Sequence, residues 1–377
     1  MCYNTGVMQP ILRILQRFDW LLIVSAFVLF VFGLAAIYSV ELSRGDDFGL
    51  LQKQVIAVVL GLTIAAFIAR TNYQIFRSYG RALYILGLLS LVAVFFFGAE
   101  FNGARGWFVL GGFAFQPIEF MKLGLIAELA RYFGEHAQRR FGWSDFLRSG
   151  AMTLVPIALA MVQPDLGGAI LLGGIWLVTV FFAGANWRHF GALLLVAVVA
   201  FLLGWFVVFH DYQRERIITF VNPASDPLDG GYNVIQATIA IGAGGVLGTG
   251  LGAGSQSQLR FLPEAQADFV FAVIAEELGF IGVVVLLLFF ALLLVRLVTI
   301  ARTSRDTFAA FLVLGVFAAY GVQAVVHIGA NLAVLPATGV ALPFVSYGGT
   351  SLLLSCVLLG VAQSVAVTLS ARDISAI

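Results

Sequence analysis

Apolar residues fill the chain in long blocks separated by short polar breaks. A block of about 20 apolar residues is the length that crosses roughly 30 Å of hydrocarbon as a helix. Ten windows of this kind are readable, at about 19–40, 52–69, 78–98, 117–134, 147–163, 166–184, 188–209, 268–297, 307–331 and 348–370. The fourth is the weakest as a hydrophobic stretch, because Glu119, Lys122 and Glu128 interrupt it. The fifth and sixth are joined only by "QPDLGG" and could form a broken pair. Between the seventh and eighth windows, residues 210–267 are too long to be a mere connector. The centre of that loop, "GYNVIQATIAIGAGGVLGTGLG", joins an amphipathic run to a glycine run. It predicts a short helix at the membrane interface followed by a flexible turn. The pattern as a whole predicts an all-α polytopic membrane protein. Residues 1–377 form one transmembrane domain, with the large loop 210–267 inside it.

Charge supplies the orientation. Arg13, Arg17, Arg70, Arg77, Arg81, Arg131, Arg139, Arg140, Arg148, Arg188, Arg302, Arg305 and Arg372 all fall on the side of the termini. Acids such as Glu41, Asp46, Asp47, Glu100, Asp211, Glu215, Asp226, Asp229 and Glu264 gather on the other. Basic loops stay inside, so both termini are expected to be cytoplasmic and the long loop external. The first apolar run is too long for a cleavable signal and is read as a helix that stays.

Composition agrees: 61% of the 377 residues are hydrophobic and only 11% are charged, against about a quarter charged in soluble domains. The net charge of +1 singles out no partner, and nothing in the chain suggests a nucleic acid. Cys2 and Cys356 lie far apart and offer neither a credible disulfide nor a zinc cluster.

The polar residues inside the apolar blocks carry the functional question. "FLPEAQADFVFAVIAEELGF", Phe261 to Phe280, contains Glu264, Asp268, Glu276 and Glu277. A charged side chain at the bilayer centre costs roughly 3 kcal/mol on insertion scales, so each needs a partner or a function. Asp268 is read at the outer start of the eighth span, where the helix dipole favours an anion; a helix cap is the plain alternative. At about 100° per residue, Glu277 points opposite Asp268 and Glu276 about 80° away, so the three cannot line one face. For the glutamates, burial as neutral acids or pairing with a base inside the bundle is the plainer expectation.

Glu119 and Lys122 are three apart on one helix face, with Pro117 suited to the first turn. They form either a self-neutralising pair or a polar cavity wall that orients an anion, and the two readings are compatible. Asp165 sits in a Pro-Asp turn, usually a structural feature. Arg214 and Arg216 in "YQRERIITF" belong either to a solvated face or to a phosphate-holding site, since guanidinium forks match phosphate oxygens. Arg105 and Arg260 are further external candidates. His327 and Asn331 are expected to hydrogen-bond between helices. There is no P-loop lysine, nucleophile elbow or His-rich metal motif. An acid-rich, Arg-dotted external cavity fits an enzyme acting on a lipid-linked substrate, or a transporter.

Six stretches in order resemble one family, the shape-elongation-division-sporulation (SEDS) proteins. They are "FDWLLI", "NGARGWFVLGGFAFQPIEFMKL", "VQPDLGGAILL", "YQRERIITFVNPASDPLDGGYNVIQATIAIGAGGVLGTGLG", "FLPEAQADFVFAVIAEELGFIG" and "NLAVLPATGVALPFVSYGGTSLL". The first, third and fourth look more like the RodA branch than the FtsW branch. The resemblance implies a peptidoglycan glycosyltransferase that polymerises lipid II at the outer face of the cytoplasmic (inner) membrane during elongation and shape maintenance. It implies a class B penicillin-binding protein as transpeptidase partner, among other elongation-complex proteins and membrane lipids. The family's motif aspartate falls on Asp268, its helix-four polar pair on Glu119 and Lys122, and its "QPD" acid on Asp165. This chain departs from the family in "QPIE" for "QPSE", "QADF" for "HTDF", and Gly106 before Trp107 where many relatives carry Arg. Asp268 is the candidate general base. Lys122, Arg214, Arg216 and Arg260 are candidates to offset the leaving pyrophosphate, with a divalent cation such as Mg or Mn as an open option. A lipid II flippase and a non-catalytic scaffold of the wall machinery are the alternatives.

Overall fold

A computed structural model of the protein describes residues 18–43, 45, 48–101, 104–110, 113–137, 139–203, 205 and 230–375. Ten helices answer the ten apolar windows in order. They are α1 (Trp20–Leu42), α2 (Gly49–Arg70), α3 (Gln74–Phe97), α4 (Pro117–His136), α5 (Trp143–Val162), α6 (Leu166–Phe182), α7 (Trp187–Leu203), α10 (Val270–Thr303), α11 (Thr307–Asn331) and α12 (Gly349–Ser375). In the described part of the long loop lie α8 (Gly230–Ala243) and the single turn α9 (Ser255–Gln258). Seven of the helices are long and apolar enough to cross a membrane on those grounds alone. Among the ten, α6 and α7 are shorter and α4 carries too many charges. One non-helical element, which the hydropathy pattern does not mark, is an antiparallel meander between α3 and α4. Its strands are β1 (Ala99–Phe101), β2 (Ala104–Leu110) and β3 (Phe113–Phe115).

The charges that weaken α4 as a hydrophobic window are explained by its place in the bundle. Fifteen of its residues, from Pro117 to Phe133, are buried, including Glu119, Lys122 and Glu128. It packs between α3 and α11 and faces protein rather than lipid. Gly124 meets the α3 backbone at Leu83 and Tyr84, so the two helices cross closely. At the basic end, Glu128 is held by Arg131 at 2.6 Å and faces Arg81 at 3.7 Å. Asp19 caps α1 and takes a 2.5 Å bond from Arg296 of α10, locking those two helices together.

The helix α10 does not begin at Asp268, and it is not continuous. Asp268 lies in a turn before Val270, closed by its N–H donating to the Glu264 carbonyl at 3.0 Å. Gly279 then interrupts the helix with φ 64° and ψ −166°, a conformation essentially restricted to glycine. Breaking a membrane helix strands backbone groups, and each needs a partner. The glycine run after α8 supplies them. Thr249 and Gly250 donate to the carbonyls of Glu276 and Glu277 at 3.0 Å each. Phe280 and Ile281 donate to Gly245 and Val246 at 2.9 and 3.2 Å. The expected flexible turn is therefore a segment docked into the helix break. The buried glutamates complete the dock and need no basic partner. The Glu276 carboxylate accepts from the backbone N–H groups of Gln256 and Ser257, at 2.7 and 3.1 Å, and so caps α9. Glu277 accepts from the hydroxyls of Ser39 and Ser257.

A second segment, between α11 and α12, is anchored in the core. Phe344 is buried against Phe30 of α1 and Tyr320 of α11, with ring centroids 5.2 and 5.1 Å away. Gly33 of α1 leaves room for it: a Cβ there would stand 2.3 Å from the Val345 carbonyl oxygen. Helix α1 and the aromatic core thus fix a loop that forms one wall of the site.

Candidate functional site

Two adjoining cavities open at the end of the bundle where this loop, the β-meander and the start of α10 meet. The larger, about 160 Å³, is lined by Glu119 and Lys122 of α4, Asp165 before α6, Asp268, and Thr338 to Ala341, among others. Trp107 of β2, Gln116, Tyr347 and Thr350 complete its polar rim. The smaller, about 130 Å³, lies between α8 and α11 and is lined by Asn233, His327 and Ala330. Asp268 and Thr338 to Val340 belong to both, so Asp268 stands on the partition between them.

Asp268 is positioned through its backbone. Asn331, at the end of α11, donates to the Asp268 carbonyl at 3.0 Å and accepts from the Ala272 N–H at 3.1 Å. Ser346 donates to the Ala267 carbonyl at 2.8 Å, and the Tyr347 N–H donates to Gln266 at 2.9 Å. Gln54 of α2 donates in turn to the Ser346 carbonyl at 3.1 Å. Every clamp holds main chain. Among the described residues no donor engages the Asp268 carboxylate, which is left facing the cavities. Burial, and secondarily the carboxylate of Glu264, push its pKa up to about 6. Among the described residues it neither caps a helix nor pairs with a cation.

The α4 pair is an ion pair, with Lys122 Nζ 2.6 Å from Glu119 Oε2 and both side chains buried. Asp165 fulfils its structural expectation by capping α6, accepting from the Gly168 N–H at 2.7 Å. It also lines the larger cavity. Burial raises its pKa, the Gly168 bond opposes this, and the Glu119 charge adds to the rise. The described wall of this cavity therefore carries three carboxyl groups and one ammonium, Lys122.

The structure thus brings together Glu119, Lys122, Asp165 and Asp268, from three separate regions of the chain. It does not bring Arg260 with them: that side chain donates to the Ser43 carbonyl at 3.0 Å beyond the end of α1. Arg214 and Arg216 lie outside the described residues. For a divalent cation, no three His, Cys, Asp or Glu side chains converge among the described residues. Of the cavity's acids, Glu119 is paired with Lys122 and Asp165 with the Gly168 N–H. Sequence reasoning passed over Thr338, Gly339 and Tyr347 as site residues; the only signal was their place in the quoted "NLAVLPATGVALPFVSYGG". His327 and Asn331 were expected as interhelical bonds, and for Asn331 that is what the fold uses. Thr350 donates to the Ala114 carbonyl at 2.6 Å and ties β3 to the start of α12.

The profile of the family described as cell cycle protein, covering FtsW, RodA and SpoVE, matches residues 19–371. The chain is 37% identical to the peptidoglycan glycosyltransferase MrdB of Escherichia coli K12 over 327 residues, 86% of this chain and 87% of that one. It is 35% identical to the stage V sporulation protein E of Bacillus subtilis over 355 residues, 92% of this chain and 96% of that one. Among solved structures, a chain from work on the coordination of polymerization and crosslinking by a peptidoglycan synthase complex superposes with TM-score 0.81. It is 34% identical, with 94% of this chain and 98% of that chain covered. The rod shape-determining protein RodA of Thermus thermophilus superposes with TM-score 0.69 at 32% identity, covering 93% of this chain and 96% of that one.

Proposed function

The chain belongs to the FtsW, RodA and SpoVE family of cell cycle proteins, and from that premise we infer that it is a peptidoglycan glycosyltransferase, a multi-pass membrane enzyme that polymerises lipid II. The observation that carries the reading is the placement of Asp268. Among the described residues no donor engages its carboxylate, which is fixed through its backbone and shared by two cavities. A glycosyl transfer needs that arrangement: one sugar on each side of a base.

In the reaction the 4-hydroxyl oxygen of one sugar attacks the anomeric carbon of another. The hydroxyl proton passes to Asp268, and the anomeric C–O bond to undecaprenyl pyrophosphate breaks, its electron pair leaving with the pyrophosphate. A carboxylate base opposite the leaving group parallels the inverting glycosidases. A base is most effective when its pKa lies near the working pH, and a value of about 6 leaves Asp268 ionised at pH 7 yet more basic than an ordinary carboxylate. Lys122 faces the larger cavity and can share its charge between Glu119 and the departing pyrophosphate. Arg214 and Arg216 are further candidates for that task. Asp165 and Glu119 shape the polar wall, with hydroxyl groups of the sugar or stem as their complement.

The reaction side is proposed to be the outer face of the cytoplasmic membrane. The Arg-rich connections, with the Glu128 and Asp306 ion pairs, lie at the opposite end of the bundle from Asp268. A class B penicillin-binding protein is the proposed transpeptidase partner, supported by the likeness to a chain from a complex that couples polymerization to crosslinking. The test is glycan formation from lipid II by the purified chain, alone and with such a partner. Movement of labelled lipid II across liposomes with no polymer under either condition would favour a transporter instead.

A further inference from the structure

Two residues that line the smaller cavity, His327 and Thr338, each carry a buried polar atom with no hydrogen-bond partner among the described residues. His327 is 2% exposed, and its Nε2 has no hydrogen bond; neither has the buried hydroxyl of Thr338. Buried polar groups are nearly always satisfied, so two orphans in the lining of one cavity are a reason to look for a ligand. The tautomer can be derived. His327 Nδ1 lies 2.7 Å from the Val340 carbonyl oxygen, which only accepts, so Nδ1 carries the proton. The neutral ring then presents Nε2 as a lone pair. With Asp268 on the same wall, the cavity offers two acceptors and a hydroxyl that works either way. Its complement is a ligand rich in O–H and N–H donors and without anionic charge at this point. Lys122 lies in the other cavity, so the pyrophosphate end belongs there.

We propose that the cavity between α8 and α11 is the acceptor-sugar site, in which His327 Nε2 and Thr338 Oγ1 bind hydroxyl or acetamido groups of the incoming sugar and turn its attacking hydroxyl toward Asp268. This rests on the glycosyltransferase reading and adds the division of labour between the two cavities. Asn233 of α8 closes the cavity on the loop side, which makes the 230–243 helix part of the acceptor wall.

The test compares initial rates of glycan synthesis against lipid II concentration for the full chain and three variants. Thr338→Val keeps the shape and removes the hydroxyl; Thr338→Ser restores it. His327→Asn keeps a donor for the Val340 carbonyl and removes the acceptor at Nε2. Loss of one neutral hydrogen bond is expected to raise the half-saturating lipid II concentration about three- to tenfold in Thr338→Val and in His327→Asn. Thr338→Ser should return to the native value. The pH profile and the unfolding temperature should stay those of the native chain. If the native chain makes glycan while Thr338→Val and His327→Asn saturate as it does, the acceptor assignment is wrong. It is equally wrong if the variants lose maximal rate with a displaced pH profile, since the two residues would then act only by shaping Asp268. A native chain that makes no glycan under any condition would instead remove the function on which the assignment rests.

Discussion

Replacing Lys122 with Met isolates what the α4 ion pair contributes. The native pair is 2.6 Å apart and both side chains are buried. Coulomb's law at an effective dielectric of 20 gives about 6 kcal/mol of attraction at that distance, most of it offset by the desolvation of both ions. Lys122→Met leaves Glu119 buried among α4, α6 and the 338–341 loop with its partner gone. Breaking a buried pair from one side costs about 3–5 kcal/mol, a large fraction of the ~5–15 kcal/mol that holds a typical domain. The double variant Glu119→Gln with Lys122→Met removes the stranded charge and should recover most of the loss. Thermal unfolding in detergent, read by intrinsic fluorescence, measures the cycle; lipid II polymerisation by the same samples separates packing from chemistry. The double variant is expected to be nearly as stable as the native chain yet slow, because no ammonium is left to face the leaving pyrophosphate. A Lys122→Met chain that unfolds at the native temperature would refute the energetic argument. A double variant with full activity would remove Lys122 from the reaction.

Four further outcomes follow from the same geometry. Gly33→Ala would drive a Cβ into the Val345 carbonyl, 2.3 Å away; it should displace the loop that clamps residues 266–267 and cut polymerisation severalfold or more, with cysteine crosslinking between α1 and the loop as the check. Gly279→Ala combines a glycine-only conformation with a Cβ 2.2 Å from the Gly248 nitrogen; it should release the 244–254 segment, read as a gain in proteolysis or hydrogen exchange there, costing at least about 1–3 kcal/mol. The rate should fall about tenfold per pH unit below about 6, because protonated Asp268 cannot accept a proton. The same group has the opposite effect on stability: a folded pKa raised from 3.8 to about 6 gives stability that is full below 3.8 and lost as pH rises through about 6. Asp268→Asn should therefore be more stable than the native chain at pH 7, by up to about 3 kcal/mol before solvent screening is discounted, and unfold at a higher temperature.

What could be read from the sequence follows the physics of each signal. Hydropathy is local and additive, so all ten helices and the α8 helix are legible as blocks of residues. Basic flanks give an expected orientation for the same reason. The pairing of Glu119 with Lys122 was legible because a three-residue spacing fixes a neighbour on a helix. The break at Gly279 was not, because glycine in an apolar run looks like any small packing residue until the segment that satisfies the broken backbone is known. That segment lies about 30 residues earlier, and its glycines read as flexibility when they serve a close dock. For the same reason the partners of Glu276 and Glu277 are not legible: they are backbone N–H groups and hydroxyls, which hydropathy does not register. Asp268 is legible as a candidate, but the pattern places it at a helix start, since the turn from Glu264 to Phe269 is built by contacts with Asn331 and Ser346, some 60 to 80 positions away. Arg260 was misplaced because a left-handed backbone at that residue, φ 60°, belongs to a turn that carries it toward Ser43 and away from the cavities.

The most direct test of the account is polymerisation of lipid II by the purified chain with its transpeptidase partner, native against Asp268→Asn. The native chain is predicted to form glycan strands. The folded, heat-stable Asp268→Asn chain is predicted to lose at least about a hundredfold in rate, the usual worth of a positioned general base. Strands made by the Asn variant at a rate near native would contradict it.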